Sequence, residues 1–450
     1  MSSPHQCDVK IHGGERGCVK AVPPGHRAGT DVAGTRMLGM PTVGIDAGTE
    51  AAPWPHQTLD VAALRAGGWR PAPFRDVVLK VHQRCNLACD YCYVYTMADQ
   101  SWRDRPRLMS RTVWRATAAR MAEHARTHNL PSMRLVLHGG EPLLAGADRL
   151  AALIGDIRAA MPATCDLNVR MQTNGVLLDE PTLTRLRGLG VAIGVSLDGA
   201  VADHDRHRRQ PDGRGSFSTV DRAVRLLGSD AHRSAFAGLL CTIDVTTDPV
   251  TCYEALLRYG PPLIDFLLPH ANWSNPPHRL DGSGPTPYGD WLIAVFDRWY
   301  GAPRQESRIR LLEDVIALTL GGSGRTEQIG LSPVAVVVVE SDGDIEQVDS
   351  LKSTYPGACG TGLNVRSDAF DQALWHPGVV ARQIGLRALS DTCRQCPVHT
   401  VCGGGHYAHR YRSGDGFRNP SVYCADMVRL IRYVSDRVGR DLRARLRDRT

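Results

Sequence analysis

Asp76-Val-Val-Leu-Lys80-Val-His82-Gln-Arg-Cys85-Asn-Leu-Ala-Cys89-Asp-Tyr91-Cys92 is the stretch on which the reading of this chain turns. Its first half is a short Val/Leu run of the length of a buried strand, and its second half sets three cysteines directly after that strand. Similar runs recur at Met133 to His138, Leu167 to Gln172, Val191 to Ser196, Ala237 to Ile243 and Leu263 to Pro269. Amphipathic stretches lie between and after them, near 111–128, 146–160, 180–189, 216–228, 249–259 and 287–301. Six strand-helix units in a row predict right-handed crossovers and a parallel sheet, either open and doubly wound or a barrel that does not quite close. In both cases the site lies at the C-terminal ends of the strands, where the loop 85–92 falls.

Outside those units the pattern changes. After Arg310 come a helix, an apolar strand at 334–339, a turn at Ser341-Asp-Gly-Asp344 and a return strand at 345–349, which places a domain boundary near 320–333. The tail carries Met427, Leu430, Ile431, Val434, Val438, Leu442 and Leu446 on one helical face with arginines opposite, the pattern of a packing helix. Residues 1–72 hold 11 Gly and 7 Pro without a sustained apolar period, the composition of a disordered extension.

With 450 residues, 42% hydrophobic and 22% charged, the chain has ample material for a core, which excludes a disulfide-stapled miniprotein and wholesale disorder. Its longest aliphatic run, Val334 to Val339, is far short of the about 20 residues that span a membrane. Met1 to Lys20 lacks the apolar stretch of a secretory signal, so a cytoplasmic location is expected. A net charge of +6, spread along the chain, gives no reason to expect a nucleic-acid or membrane partner.

Thirteen cysteines in a chain without an export signal are read as metal ligands where they cluster. Cys85, Cys89 and Cys92, spaced C-x3-C-x2-C, offer three corners of a cubic iron-sulfur cluster and leave the fourth iron open, whereas zinc normally takes four ligands. Cys393, Cys396, Cys402 and Cys424 form a closed set of four, for structural zinc or a fully ligated cluster; spacing does not choose between them. Cys7, Cys18, Cys165, Cys241, Cys252 and Cys359 are scattered and read as buried thiols.

The first cysteine loop resembles the signature of the radical S-adenosylmethionine (SAM) enzymes, and the resemblance implies a partial (β/α)6 TIM-like barrel. His138-Gly139-Gly140-Glu141-Pro142, Thr173-Asn174-Gly175 and Ser196-Leu-Asp198-Gly199, each after a strand, are similar to that family's SAM-contacting turns. The implied contacts are the GGE-type turn to the SAM amino group, Ser196 and Asp198 to the ribose hydroxyls, and Arg208, chosen from Arg206, Arg208 and Arg209, to the carboxylate. The second cysteine group resembles the outer cluster of a C-terminal SPASM domain. Two positions that are Cys in the full pattern are Val348 and His406 here, which implies one auxiliary [4Fe-4S] cluster beside the SAM-ligating one, with Cys359 or His406 the alternative ligands of a partial further cluster. Cys92 to Trp102, Phe266 to His270, Gly403 to Tyr411 and Asn419 to Cys424 resemble the FxsB-type maturases of ribosomally made peptides, over about residues 73–436.

On that resemblance the chain divides into an extension (1–72), a barrel (73–320) and a SPASM domain (321–450). The expected function is abstraction of a side-chain beta-hydrogen from a precursor peptide, followed by an aromatic-to-Cβ crosslink, a cyclophane. One electron and one proton must then leave: the second cluster is a candidate conduit, His270 and His409 are candidate proton acceptors, and a ferredoxin or flavodoxin is the expected donor. The alternatives are a thioether-forming or sulfatase-maturing SPASM enzyme, with the changed inner ligands set against the latter, and a non-catalytic iron or zinc protein that binds a peptide.

Overall fold

The structure is a computed structural model that describes residues 54–282 and 284–447. Six strands follow the sequence pattern closely: β1 Asp76–His82, β2 Ser132–Gly139, β3 Asp166–Thr173, β4 Ala192–Ser196, β5 Phe236–Thr242 and β6 Leu263–Leu267. Then come β7 Arg308–Ile309, β8 Val336–Val339, β9 Asp344–Glu346 and β10 Gly360–Asn364. All ten lie in one sheet, in the order β10-β9-β8-β1-β2-β3-β4-β5-β6-β7. From β8 through β1 to β7 every pairing is parallel, and β8, β9 and β10 form an antiparallel meander at one end. Strands that stand in sequence order, each joined by a helical crossover, make the mixed α/β frame with a parallel sheet that the sequence predicts; the outermost strands, β10 and β7, are not paired to each other.

The crossover helices form because their apolar residues recur at helical spacing and their ends are capped. Ser110 accepts from the Val113 N–H at the start of Arg111–Thr127, Asp179 from Thr182 at Glu180–Gly188, and Asp248 from Thr251 at Pro249–Leu257. Their inner faces, with both faces of the central strands, make one continuous core, in which Leu79, Leu135, Ile154, Ile193, Val224 and Ile264 are fully buried.

The segment after residue 320 does not stand apart from this sheet. Asp76 to Leu79 pair with Val336 to Val339, so the apolar strand expected at 334–339 completes the free edge of β1. The tail forms the helix Cys424–Arg447, which packs on Pro287–Tyr300. Asp426 accepts from the N–H groups of Tyr288 and Gly289 at 2.9 and 3.0 Å and so satisfies the N-terminus of that helix. A Cβ on Gly289 would meet the Asp426 backbone. Two members of the expected apolar stripe, Leu442 and Leu446, are exposed, because the helix outruns the surface it packs against.

The extension expected over 1–72 needs correction at its end. Val61–Ala66 is a helix, Trp54 is buried among Val348, Leu351, Val380, Ile384, Tyr407 and Phe417, and Trp54 bridges to Gly416. The aromatic residues of this stretch supply the apolar surface that the Gly/Pro count overlooks. Residues 1–53 lie outside the described residues, as do Cys7 and Cys18. Cys165, Cys241, Cys252 and Cys359 are buried free thiols, as read from sequence. Among the described residues no helix is long and apolar enough to cross a membrane.

Candidate functional site

The cysteine loop leaves β1 through an irregularity: Lys80 pairs with His138 but His82 with Gly139, a register shift that turns the chain out of the sheet at its C-terminal end. Gly139 and Gly140 make this possible. A Cβ on Gly139 would meet the His82 carbonyl, and one on Gly140 would overlap the Tyr95 hydroxyl and the Arg84 carbonyl. Gly140 and Glu141 donate their N–H groups to the carbonyls of His82 and Arg84, at 2.8 and 3.0 Å, so the GGE turn is bonded to the loop that carries the cysteines.

The other two turns converge on the same loop. Asn174 Nδ2 donates to Asn86 Oδ1 at 2.8 Å and approaches Cys85 Sγ at 3.5 Å. Asp198 accepts from Tyr91, inside the cysteine motif, from Arg208 Nε at 2.8 Å and from the Thr242 N–H at 3.0 Å. Ser196 Oγ accepts from Gln172 Nε2 at 3.0 Å. Of the three arginines only Arg208 is buried here; Arg206 pairs with Asp244, and Arg209 donates to the Asp205 carbonyl. Of the sequence-derived set, Gly140, Glu141, Asn174 and Asp198 are hydrogen-bonded to the loop that carries the cysteines and Arg208 lies over its Tyr91, whereas Ser196 bonds to Gln172.

Two carboxylates in this set are already engaged. Glu141 is fully buried and accepts from the Leu143 N–H, the Thr173 hydroxyl and the Asn174 N–H at 2.7–2.9 Å; burial raises its pKa to about 7 against the pull of those donors. It braces the turn at 173–175 against the turn at 139–142. Asp198 likewise holds Tyr91 to Arg208, whose guanidinium also lies over the Tyr91 ring.

Burial pushes the Cys85 thiol up to about 12 and Cys89 up to about 11, the latter against Arg208. Thiols desolvated as Cys85 and Cys89 are become thiolates beside strong positive charge, which iron provides, and with Cys92 they make a donor set that fits the three-cornered cluster expected of it. In the second group Cys393 is in Asp391–Arg394, Cys402 ends His399–Cys402, and Cys424 begins the terminal helix. Burial raises Cys402 to about 11 and Cys424 to about 12, and in both cases the other cysteines of the group raise it further, so the four thiols share one site. Four thiols at one site suit either tetrahedral zinc or a fully ligated iron-sulfur cluster.

Sequence reasoning missed a buried ionic network beneath the site. Lys80 Nζ lies 2.5 Å from Asp349 and 3.2 Å from His138 Nδ1, and Lys352 lies 2.9 Å from Glu340 and 3.2 Å from Glu346. Burial favours the neutral Asp349, yet Lys80 holds it well below the usual carboxylate range; His138 is lowered to about 4 by burial and then by Lys80. The signal was present: the chain has four lysines, and one interrupts the apolar run of β1. Tyr91, quoted within the cysteine motif but given no role, is the second omission.

His270 follows β6, and His409 lies in the turn Tyr407–Arg410, their rings 6.0 Å apart. Burial lowers His270 to about 3 and His409 well below its ordinary value. In this setting both are weak proton acceptors, which takes weight from the proton-transfer role expected of them.

Residues 79–235 match the family model of the radical SAM superfamily. Over 373 residues the chain is 26% identical to the serine-type anaerobic sulfatase-maturating enzyme of Klebsiella pneumoniae, covering 79% of this chain and 89% of that protein. It is 24% identical to the cysteine-type anaerobic sulfatase-maturating enzyme of Clostridium perfringens, over 79% of this chain and 94% of the relative. Its fold is similar to that of native anSMEcpe with bound AdoMet (TM-score 0.68, 21% identity, 81% of this chain and 98% of the other). It is also similar to Streptococcus suis SuiB bound to precursor peptide SuiA (TM-score 0.50, 13% identity, 80% and 77%).

Proposed function

We propose that this radical SAM protein is a peptide maturase: it cleaves S-adenosylmethionine reductively and abstracts a side-chain beta-hydrogen from a ribosomally made precursor peptide, ending in an aromatic-to-Cβ crosslink. The observation that carries the reading is the convergence of three strand-end turns on one three-cysteine loop, through Asn174 to Cys85 and through Asp198 and Arg208 to Tyr91. When bound, a SAM-ligated [4Fe-4S] cluster supplies the 5'-deoxyadenosyl radical. Cys85, Cys89 and Cys92 hold that cluster. Gly139 and Gly140 let the turn close on the cysteine loop, where a Cβ would meet the His82 and Arg84 carbonyls; Asn174, Ser196 and Pro142 are the residues that would contact SAM, and Glu141 keeps the turns in register. Arg208 is the buried cation beside this site, suited to a carboxylate that competes with Asp198 for it. Cys393, Cys396, Cys402 and Cys424 would hold one auxiliary [4Fe-4S] cluster, which would supply one-electron redox capacity beside the site. Residues 73–320 are read as the core and 321–450 as the accessory domain that carries this second cluster, with a ferredoxin or flavodoxin as donor to the first.

A second reading, oxidation of a Cys or Ser to formylglycine, is favoured by the likeness to sulfatase-maturating enzymes over 79% of the chain. One anaerobic experiment separates them. The reconstituted protein is incubated with SAM, dithionite and candidate precursor peptides or sulfatase peptides, beside a Cys85/Cys89/Cys92→Ala variant. The proposal expects 5'-deoxyadenosine from the wild type alone and a peptide that loses two hydrogens, resists fragmentation inside a three-residue ring and fails to react with a hydrazide. A hydrazide-reactive aldehyde selects the second reading, and no 5'-deoxyadenosine despite filled clusters refutes both.

A further inference from the structure

Three histidines from two separate segments meet beside a cavity. His270 follows β6, while His406 and His409 come from the turn after Gly403-Gly-Gly405, and one ring nitrogen of each lies within 4.8 Å of those of the other two. They border a cavity of about 240 Å³ that Tyr93, Leu267, Asp349 and Met427 also line. Buried histidine nitrogens normally find a hydrogen-bond partner. Here His270 Nδ1, His406 Nδ1 and His409 Nε2 are all covered and have none. In the trio His124, His128 and Asp371, by comparison, the Asp371 carboxylate lies 2.5 Å from His124 Nδ1 and 3.0 Å from His128 Nε2, and one covered nitrogen, His124 Nε2, is left without a partner.

The backbone segments that carry the rings are held in place by their surroundings. Arg410 Nη2 donates to the carbonyls of Gly403 and Gly405 at 2.6 and 2.7 Å and so fixes the turn that carries His406 and His409. Gly403, Gly404 and Gly405 all have positive φ, of 60°, 81° and 69°, a path that residues with side chains rarely follow. Tyr423 packs against His409 at 4.9 Å and donates its hydroxyl to the Pro269 carbonyl at 2.9 Å, which ties that turn to the segment carrying His270. The His270 ring packs edge-on against Tyr93, the residue after Cys92, at 4.6 Å.

We infer that His270, His406 and His409 form a three-imidazole site for one divalent transition-metal ion of borderline softness, zinc, iron(II) or cobalt(II), with an open coordination position toward the cavity. Three nitrogen donors suit these ions, and three protein ligands leave room for a fourth from solvent or substrate. Bonds of about 2.1 Å place the nitrogens about 3.4 Å apart, a closure that rotation about the soft terminal torsion of each histidine supplies. Asp349 acts electrostatically on His270 and Glu327 on His406, partly offsetting the incoming charge, while Arg410 and Arg382 oppose it.

The test uses the full chain with its cysteine groups filled by iron and sulfide, titrated anaerobically with Co²⁺ beside His270→Gln and His409→Gln. The inference expects one equivalent of cobalt per wild-type chain, with ligand-field bands of a four- or five-coordinate ion and no sulfur-to-cobalt charge transfer. In each variant affinity falls by at least about 100-fold, beyond the about 10–100-fold cost of losing a group outside the ligand shell, while iron and sulfide stay constant. No cobalt uptake, cobalt held through sulfur, or uptake unchanged in both variants overturns it. Should either variant lose its iron, X-ray absorption at the cobalt edge of the wild type decides: three imidazoles support the site, and fewer than two refute it. Formation of 5'-deoxyadenosine is scored separately, so its failure with cobalt binding intact counts against the proposed reaction alone.

Discussion

Replacing Lys80 with Met removes a cation that is completely buried while leaving its partner behind. Lys80 has no exposed side-chain surface, the Asp349 side chain is 12% exposed, and the two lie 2.5 Å apart, so solvent screens the pair little. Breaking one side of a buried pair costs about 3–5 kcal/mol, because the remaining charge is stranded. With an unfolding entropy of about 2.1 cal/mol/K per residue over roughly 400 residues, that is a fall of about 4–6 °C in the thermal midpoint. Lys80→Met/Asp349→Asn, which strands no charge, should recover at least half of it. The sign of the pH effect follows. In the wild type Lys80 depresses Asp349, so its stabilising share is complete above about pH 4 and fades as pH falls through the folded-state value. Without Lys80, burial raises Asp349 instead, and Lys80→Met regains stability as that carboxyl protonates. The deficit is therefore widest near neutrality and narrows toward pH 4. Melting curves of the three proteins from pH 7.5 to 4 check this. A single variant within about 1 °C of wild type at neutrality, or a double variant no better than the single, would refute the account of the pair.

Further expectations concern the site. Gly140→Ala should unseat the cysteine loop, because its Cβ meets the Tyr95 hydroxyl and the Arg84 carbonyl; iron analysis after reconstitution should show about four irons instead of about eight per chain. The Cys85/Cys89/Cys92→Ala variant should also retain about four, and fewer than two would argue against an independent second cluster. Asp198→Asn keeps the shape but removes the charge facing Arg208 and turns one acceptor into a donor; 5'-deoxyadenosine formation should fall by at least about 10-fold with iron unchanged, and an unaltered rate would show the carboxylate to be dispensable. Glu141→Gln keeps one oxygen for two of its donors, Leu143 and Thr173, and turns an NH₂ on the third, Asn174, or the reverse, and should cost about 1–3 kcal/mol in thermal or denaturant unfolding.

The parallel sheet was legible because β1 to β6 are apolar runs between amphipathic helices of ordinary length, and the seven clustered cysteines announce themselves by spacing. Two strands were not: β7 has two residues, and β10, Gly360-Thr-Gly-Leu-Asn364, has glycines where strand residues are expected. The partnership of Lys80 with Asp349 joins positions far apart in the chain, and no local period reports a long-range ion pair. Glu141 shows the limit differently. Its place in a Gly-Gly-Glu-Pro turn marks it as functional, yet only the three donors around it show that it serves as a brace between turns.

The pairing of β8 with β1 bears on how the protein is made. During synthesis β1 (Asp76–His82) emerges early, but the strand that covers its open edge, Val336–Val339, comes only in the last third of the chain. Until that strand arrives, Asp76 to Leu79 present unpaired backbone groups and Lys80 lacks its counter-ion, the kind of exposed edge that recruits other chains. The loop that holds Cys85, Cys89 and Cys92 springs from this same strand. Its final geometry therefore waits on the C-terminal third of the polypeptide, so truncated or stalled chains should aggregate rather than accumulate as a half-built enzyme.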